Sequence, residues 1–222
     1  PFKPAISDFP GGVLMLPNNQ VLLAWSNAGA ANNEPRGTTV KAQKYDFLGN
    51  TIGAEFRLDN NVNGGLSTQV RPNLVDDIDC GFVAVWRESD DFSPDDANSI
   101  QVRGQRWRAD TSAGAALLFG QYEFSGFGER DFTAPSIGSD SNGNVLAAWI
   151  QDPDRTSPSL ADATAFDGDS GLIGKRQFDF ANLTTTRVAS NQDAGARVAM
   201  SDDLTAIVWL EDNIRLQARV MP

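Results

Sequence analysis

Val21-Leu22-Leu23-Ala24-Trp25, Phe82-Val83-Ala84-Val85-Trp86, Val145-Leu146-Ala147-Ala148-Trp149 and Thr205-Ala206-Ile207-Val208-Trp209 are four versions of one five-residue run. The tryptophans lie 61, 63 and 60 residues apart, and four of the five in the chain fall on this ladder. A fixed period of this length marks a tandem architecture of small structural units. The runs are apolar almost throughout rather than alternating, so the strand each one forms is buried on both faces. A sheet stacked between two like sheets satisfies that demand. Ala24, Ala84, Ala147 and Ala148 are small enough to let neighbouring sheets approach.

Other elements repeat around the tryptophan. Val13–Leu16, Pro72–Val75, Pro135–Gly138 and Arg197–Met200 precede the runs, separated from them by polar turns such as Asp140-Ser141-Asn142-Gly143-Asn144. Val40–Asp46, Val102–Arg108, Ile173–Asp179 and Leu216–Val220 follow them. Glu55–Leu58, Gln121–Phe124 and Thr185–Val188 close the first three units. Each unit reads as four short strands, a to d, and helical periodicity is absent. In strand c the residues alternate, which directs Lys41, Gln43, Arg103, Gln105 and Arg219 to solvent. Radially stacked sheets of this kind make an all-β fold, a β-propeller. The expected domain is single and spans 1–222, with four blades of four antiparallel strands at 9–60, 68–126, 133–190 and 195–222 plus 1–8. Phe2-Lys3-Pro4 resembles Phe56-Arg57-Leu58, so the N-terminal segment would supply the missing outer strand and close the last blade. Pro1 and Pro4 suit such an edge. A β-sandwich would not need a sixty-residue repeat.

The 18 Lys+Arg against 29 Asp+Glu leave a net charge of −11, which repels nucleic-acid phosphates and anionic lipids. No partner of those kinds is expected. The chain has no histidine and one cysteine, Cys80, so histidine-based triads, disulfides and thiolate metal clusters are excluded. Cys80 reads as a small buried hydrophobe. Apolar runs of about five residues cannot insert into a membrane as helices. Because the chain starts at Pro1, it reads as processed or partial, and its composition suits a secreted or surface protein.

In a blade the b–c and d–a loops emerge at one end, and the a–b and c–d loops at the other. The b–c loops are the long ones, and acid gathers there: Asp90, Asp91, Asp95 and Asp96 in the second unit, Asp152, Asp154, Asp167 and Asp169 in the third. Carboxylates and loop carbonyls suit calcium, which makes these eight residues candidate ligands. Asp167-Gly168-Asp169 opens like a calcium loop, but Leu172 stands where glycine is required and no glutamate follows at the twelfth position. The competing reading is solvated turn residues. Exposed Phe92, Phe124 or Phe127 would mark a lectin-like rim, whereas burial between blades would make them core. A carboxylate-based glycoside hydrolase needs a positioned acid pair, and no motif frames Glu34, Glu55, Glu88, Glu123, Glu129 or Glu211.

The pattern, carried best by Val21–Trp25, Ala42–Asp46, Gly49, Gly53 and Glu55–Leu58, resembles the tandem propeller-type repeat of large secreted bacterial surface and calcium-associated proteins. Units two and three keep Trp86 and Trp149 but degrade the glycine and Glu-Phe parts. Sialidase-type aspartate boxes place tryptophan three residues after glycine, whereas Gly143 precedes Trp149 by six. The resemblance implies an extracellular role. The expectation is a non-catalytic binding, adhesion or assembly module, not an enzyme, with a protein, like subunits or a glycan as partner. Calcium is a candidate ligand, and no organic cofactor is expected. A lectin-like propeller or a carboxylate glycoside hydrolase is the alternative.

Overall fold

The computed structural model describes residues 9–16, 18–28, 38–59, 68–77, 81–89, 100–108, 116–117, 122–123, 131–132, 135–152, 160–167, 171–179, 197–211 and 215–221. Seventeen strands in four antiparallel sheets account for them, and the described residues contain no helix, hence none able to cross a membrane. The first sheet runs in chain order through β1 (Phe9–Met15), β2 (Val21–Ala28), β3 (Thr38–Tyr45) and β4 (Thr51–Arg57). The second holds β5 (Thr68–Asp77), β6 (Gly81–Ser89) and β7 (Ile100–Arg108), with β8 (Ala116–Leu117) and β9 (Tyr122–Glu123) both on β7. In the third, β10 (Asp131–Phe132) and β11 (Ser136–Ser139) pair with β12 (Val145–Asp152), followed by β13 (Leu160–Asp167) and β14 (Gly171–Asp179). The fourth is β15 (Arg197–Met200), β16 (Thr205–Glu211) and β17 (Arg215–Met221).

The tryptophan runs are the second strand of every sheet and keep one register: Trp25 faces Lys41, Trp86 faces Arg103, Trp149 faces Asp162 and Trp209 faces Gln217. This register corrects the third unit. Its strand c is Leu160–Asp167, and Ile173–Asp179 lies in the outer strand. Ala163-Thr164-Ala165-Phe166-Asp167 holds the positions of Ala42-Gln43-Lys44-Tyr45-Asp46. The register pairs Ala161, Ala163 and Ala165 with Ile150, Ala148 and Leu146 of the tryptophan run.

Alternate residues of each run serve opposite neighbours. Leu22 and Ala24 pack with Phe82, Ala84, Trp86 and Trp107, while Val83 and Val85 pack with Val145, Ala147 and Trp149. In these two joints the small aliphatic side of the earlier sheet thus meets the aromatic side of the later one. Trp86 and Trp149 are 0% and 1% exposed. At roughly 150–250 Å² each, such burial is worth about 4–6 kcal/mol of transfer free energy before entropy is deducted.

The first strands, β1, β5, β11 and β15, lie side by side and join the sheets. Missing side chains make the approach close: a Cβ on Gly138 would sit 2.9 Å from Val198 Cγ1. Serine hydroxyls stitch the joints, with Ser26 Oγ accepting from Arg71 N at 2.9 Å and Ser136 Oγ from Val198 N at 3.1 Å. The first of these captures an amide at the bulge between Val70 and Asn73, where Arg71 has a φ of 57°.

Two expectations are corrected. Lys41, Gln43 and Gln105 are buried, not solvated. Lys41 Nζ pairs with Glu55 Oε1 at 2.9 Å, and Gln43 Nε2 donates to the carbonyls of Ile52 (3.1 Å) and Gly53 (3.3 Å) across a bulge between β3 and β4. The outer strand β4 thus provides partners for Lys41 Nζ and Gln43 Nε2, whereas the buried Gln105 amide has no hydrogen-bond partner for either polar atom among the described residues. The four sheets also form an open stack and not a closed ring. The fourth packs on the third, and among the described residues no comparable packing joins it to the first. Residues 1–8, assigned to ring closure, lie outside the described residues, as does Cys80.

Candidate functional site

Antiparallel order gives the stack two unlike ends. At one end sit the tight turns 16–20, 46–50, 140–144 and 201–204, together with the paired strand ends Asp77 and Gly81, and Asp167 and Gly171. At the other end β2, β6 and β12 finish and β3, β7 and β13 begin, at Ala28 and Thr38, Ser89 and Ile100, and Asp152 and Leu160; the long connections of the sequence join these strand ends and lie outside the described residues.

The turn end is a built structure. In the β3–β4 turn Asp46 Oδ1 accepts from Leu48 N (2.9 Å) and Asn50 N (2.8 Å), and Oδ2 from Asn50 Nδ2 (2.8 Å). Asp140 repeats this in the β11–β12 turn, with Asn142 N (2.9 Å), Asn144 N (2.8 Å) and Asn144 Nδ2 (2.6 Å). Gly49 and Gly143 supply φ values of 83° and 77° in the two turns. The shared Asp-x-x-Gly-Asn spacing therefore encodes one loop in which the carboxylate replaces a missing ladder. Asp202 joins two sheets by accepting from Ser141 N (2.8 Å) and Ser141 Oγ (2.7 Å).

The Asn50 side chain and backbone hold the Asp46 carboxyl below its usual 3.8, and the Ser141 hydroxyl and backbone do the same for Asp202. A depressed carboxyl stabilises the fold above its unfolded value. That contribution is lost as pH falls through the folded value. The acid limb of the stability profile below about pH 4 is therefore expected to be shallower in Asp46→Asn/Asp202→Asn than in the parent. Unfolding followed from pH 5 to pH 2 checks this; parallel profiles would remove these turns from the acid response.

The eight aspartates proposed as cation ligands do not share one rim. Asp167 pairs with Gly171 across the β13–β14 turn and holds the position of Asp46, so it belongs to the turn end. Asp152 lies at the opposite end of the same sheet, where it faces Asp131 across the β10–β12 pair. Seven strand steps separate the two ends, about 23 Å, too far for one ion. The physical reason is the corrected third strand, which reverses the end at which Asp167 emerges. Asp90, Asp91, Asp95, Asp96, Asp154 and Asp169 lie outside the described residues. Asp131 was missed because its isolated Asp-Phe segment carries no repeat signal. Among the described residues no group of three or more acidic, histidine or cysteine side chains is placed to hold a metal.

Three buried carboxylates instead meet guanidinium groups. Glu88 lies 3.3 Å from Arg103 Nε, and Glu88 Oε2 accepts from Trp86 Nε1 at 3.4 Å. Arg57 clasps Asp59 through Nε (3.1 Å) and Nη2 (2.6 Å). Arg106 clasps Asp77 with Nε and Nη2, the latter at 2.6 Å, and reaches the Gly143 carbonyl of the third sheet at 3.0 Å. Asp59 and Asp77 accept guanidinium hydrogen bonds, the contact of Arg103 Nε with Glu88 is an ion pair without a hydrogen bond, and Arg106 alone of the three arginines is seen to bridge two sheets, through Asp77 and the Gly143 carbonyl. The pairing of Glu88 with Arg103 sits at the end that carries the long connections. Phe92, Phe124 and Phe127 lie outside the described residues.

No family model matches this sequence, and no curated protein does. Solved structures do resemble it. A Dyadobacter fermentans protein of unknown function superposes with a TM-score of 0.59 at 11% identity, covering 95% of this chain and 51% of that one. A Hadza microbial sialidase gives 0.63 at 9%, covering 98% and 45%. A thermostable family-43 glycoside hydrolase gives 0.50 at 11%, covering 93% and 65%. The chain thus spans about half the length of the first two. The likeness defines the fold as an all-β, propeller-like stack of antiparallel sheets. It also corrects the expectation of a non-catalytic chain, since a sialidase and a glycoside hydrolase are built on the same stack. The absence of a catalytic motif in the sequence does not separate this chain from such enzymes, because their likeness is one of fold at identities near 10%.

Proposed function

We propose that the chain is a carbohydrate-engaging propeller module acting outside the cell, with its ligand held at the end that carries the long connections. The observation that carries this reading is the asymmetry of the two ends. The turns at one end are consumed by internal hydrogen bonds, which leaves the other end free to vary on a rigid scaffold. Resemblance to a sialidase and a glycoside hydrolase supports a sugar as ligand. In this reading Asp90, Asp91, Asp95, Asp96, Asp152 and Asp154 supply the acidic groups of the rim, with calcium as a candidate bridging ion. Asp167 stands apart from this rim, at the β13–β14 end of the sheet.

The test is retention on soluble polysaccharides and sialylated oligosaccharides, with released reducing sugar measured in the same samples and with chelator in a parallel set. Retention weakened about tenfold or more by Asp90→Asn/Asp91→Asn, and unchanged by Asp46→Asn, is the expected result; tenfold corresponds to about 1.4 kcal/mol. Absence of both retention and release across the panel would end the carbohydrate reading.

A further inference from the structure

The β3–β4 and β11–β12 turns share one conformation and differ at one position in a way that matters chemically. The third residue is Leu48 in Asp46-Phe47-Leu48-Gly49-Asn50 and Asn142 in Asp140-Ser141-Asn142-Gly143-Asn144. The same carboxylate contacts close both turns, so neither needs an amide side chain there. Asn142 is exposed, its side chain enters none of the hydrogen bonds among the described residues, and a glycine follows it. The other described asparagines lack that combination. Asn50 and Asn144 donate through Nδ2 to Asp46 (2.8 Å) and Asp140 (2.6 Å), while Asn18 and Asn73 accept through Oδ1 from Gln20 N and Leu74 N. None of them precedes a glycine.

Asparagine is a thermolabile residue because its amide can be attacked by the main-chain nitrogen that follows it. Here Gly143 N would bond to Asn142 Cγ and give its proton to solvent base. The bond to Nδ2 breaks, ammonia leaves, and a cyclic succinimide remains. Water then opens the ring at one of its two carbonyls. One opening leaves aspartate, and the other leaves isoaspartate, whose main chain runs through the side-chain carbon. No oxidant, metal or second protein is needed. A Cβ on the following residue would crowd the ring closure, and Gly143 has none. The Gly143 amide is held by the Asp140 carbonyl at 3.2 Å, the longest of the main-chain hydrogen bonds that close the described turns.

We propose that Asn142 is a self-modification site of the folded chain, where loss of ammonia installs an aspartate or isoaspartate in the turn that ties the third sheet to its neighbours. Its position gives the change a consequence. The preceding residue, Ser141, donates through N (2.8 Å) and Oγ (2.7 Å) to Asp202 of the fourth sheet. The Gly143 carbonyl accepts from Arg106 of the second sheet at 3.0 Å. A new carboxylate at position 142 stands in the same turn as Asp140 and beside the Ser141 amide that Asp202 grips, so like charges are brought together. Isoaspartate also adds a carbon to the main chain between the Ser141 and Gly143 contacts. Both products therefore loosen the joint between the third and fourth sheets. The inference is independent of the carbohydrate reading, because this turn lies at the end opposite the proposed ligand.

Peptide mapping of the 222-residue chain after incubation, still folded, in mildly acidic and mildly alkaline buffer tests it, with enzymatic methyl labelling to detect isoaspartate. The expected result is conversion at Asn142 at least about tenfold faster than at Asn50 or Asn144, and faster at the higher pH because the attacking nitrogen must lose its proton. Asn63-Gly64, the other Asn-Gly pair of the chain, lies outside the described residues, and fragment masses separate it from Asn142. Asn142→Asp, which installs one product directly, should melt about 2–4 °C below the parent. Asn142→Leu, which copies the twin turn, should keep the parent's midpoint and lose the conversion. Conversion at Asn142 no faster than at Asn144 would overturn the proposal. So would equal midpoints for Asn142→Asp and Asn142→Leu, which would show that the charge leaves the joint intact.

Discussion

Gly11→Ala is expected to destabilise the fold by about 3 kcal/mol, at the upper end of what an overpacked side chain costs. A Cβ at this position would lie 2.3 Å from the Ala24 carbonyl oxygen and 2.6 Å from Pro72 Cγ. The first obstacle is backbone of the neighbouring strand and the second is a ring of the next sheet, so no flexible side-chain end can move aside. Gly11 lies in the irregular stretch of β1 between Pro10 and Val13, where β1 leaves regular pairing with β2 and leans on β5. Gly49→Ala is the control. Its φ of 83° disfavours a side chain, but nothing lies within 4 Å, so it should cost about 1 kcal/mol. Urea unfolding of the two variants distinguishes packing from backbone conformation. Equal losses would mean that the first and second sheets do not approach closely at Gly11.

Arg106→Met is expected to cost about 3–5 kcal/mol, because it leaves the Asp77 carboxylate buried without its cation. The two side chains are 7% and 2% exposed, and Arg106 also ties the second sheet to the Gly143 carbonyl of the third. For a chain of this length the thermal midpoint should fall by roughly 2–4 °C per kcal/mol, hence about 6–20 °C. Removing both charges is a different matter. Asp77→Leu/Arg106→Met should recover much of the loss, since desolvation of the ion pair is no longer required. A thermal double-mutant cycle reads the difference. Additive losses would show that the pair is not coupled, and that Arg106 acts chiefly through Gly143.

Much of the architecture was legible from spacing. The Trp25, Trp86, Trp149 and Trp209 ladder predicted four equivalent second strands, and all four share one register. The reading failed where lettering and pairing diverge. Ile173–Asp179 carries the Gln-aromatic-Asp string, yet Leu160–Asp167 is the strand beside β12. Local letters record chemistry, but the choice of partner is made by pairings between residues far apart, and β12 pairs with the stretch that carries Ala161, Ala163 and Ala165. Asp167 leaves the candidate cation rim for the same reason, because moving one strand sends it to the opposite end from Asp152. The burial of Lys41, Gln43 and Gln105 was equally hidden: alternation marks two faces, but only the neighbouring outer strand decides which face meets water.

By itself, the sequence determined the all-β class, the sixty-residue unit, the apolar second strand and the polar turns. These follow from local rules of side-chain period and turn chemistry, which act over a few residues. The tertiary structure alone decided the partner of β12, the ends at which Asp152 and Asp167 emerge, the Arg106 bridge between the second and third sheets and the openness of the described stack. Those depend on contacts between residues far apart in the chain, where small gains of burial and hydrogen bonding choose among pairings that the local pattern leaves nearly equal.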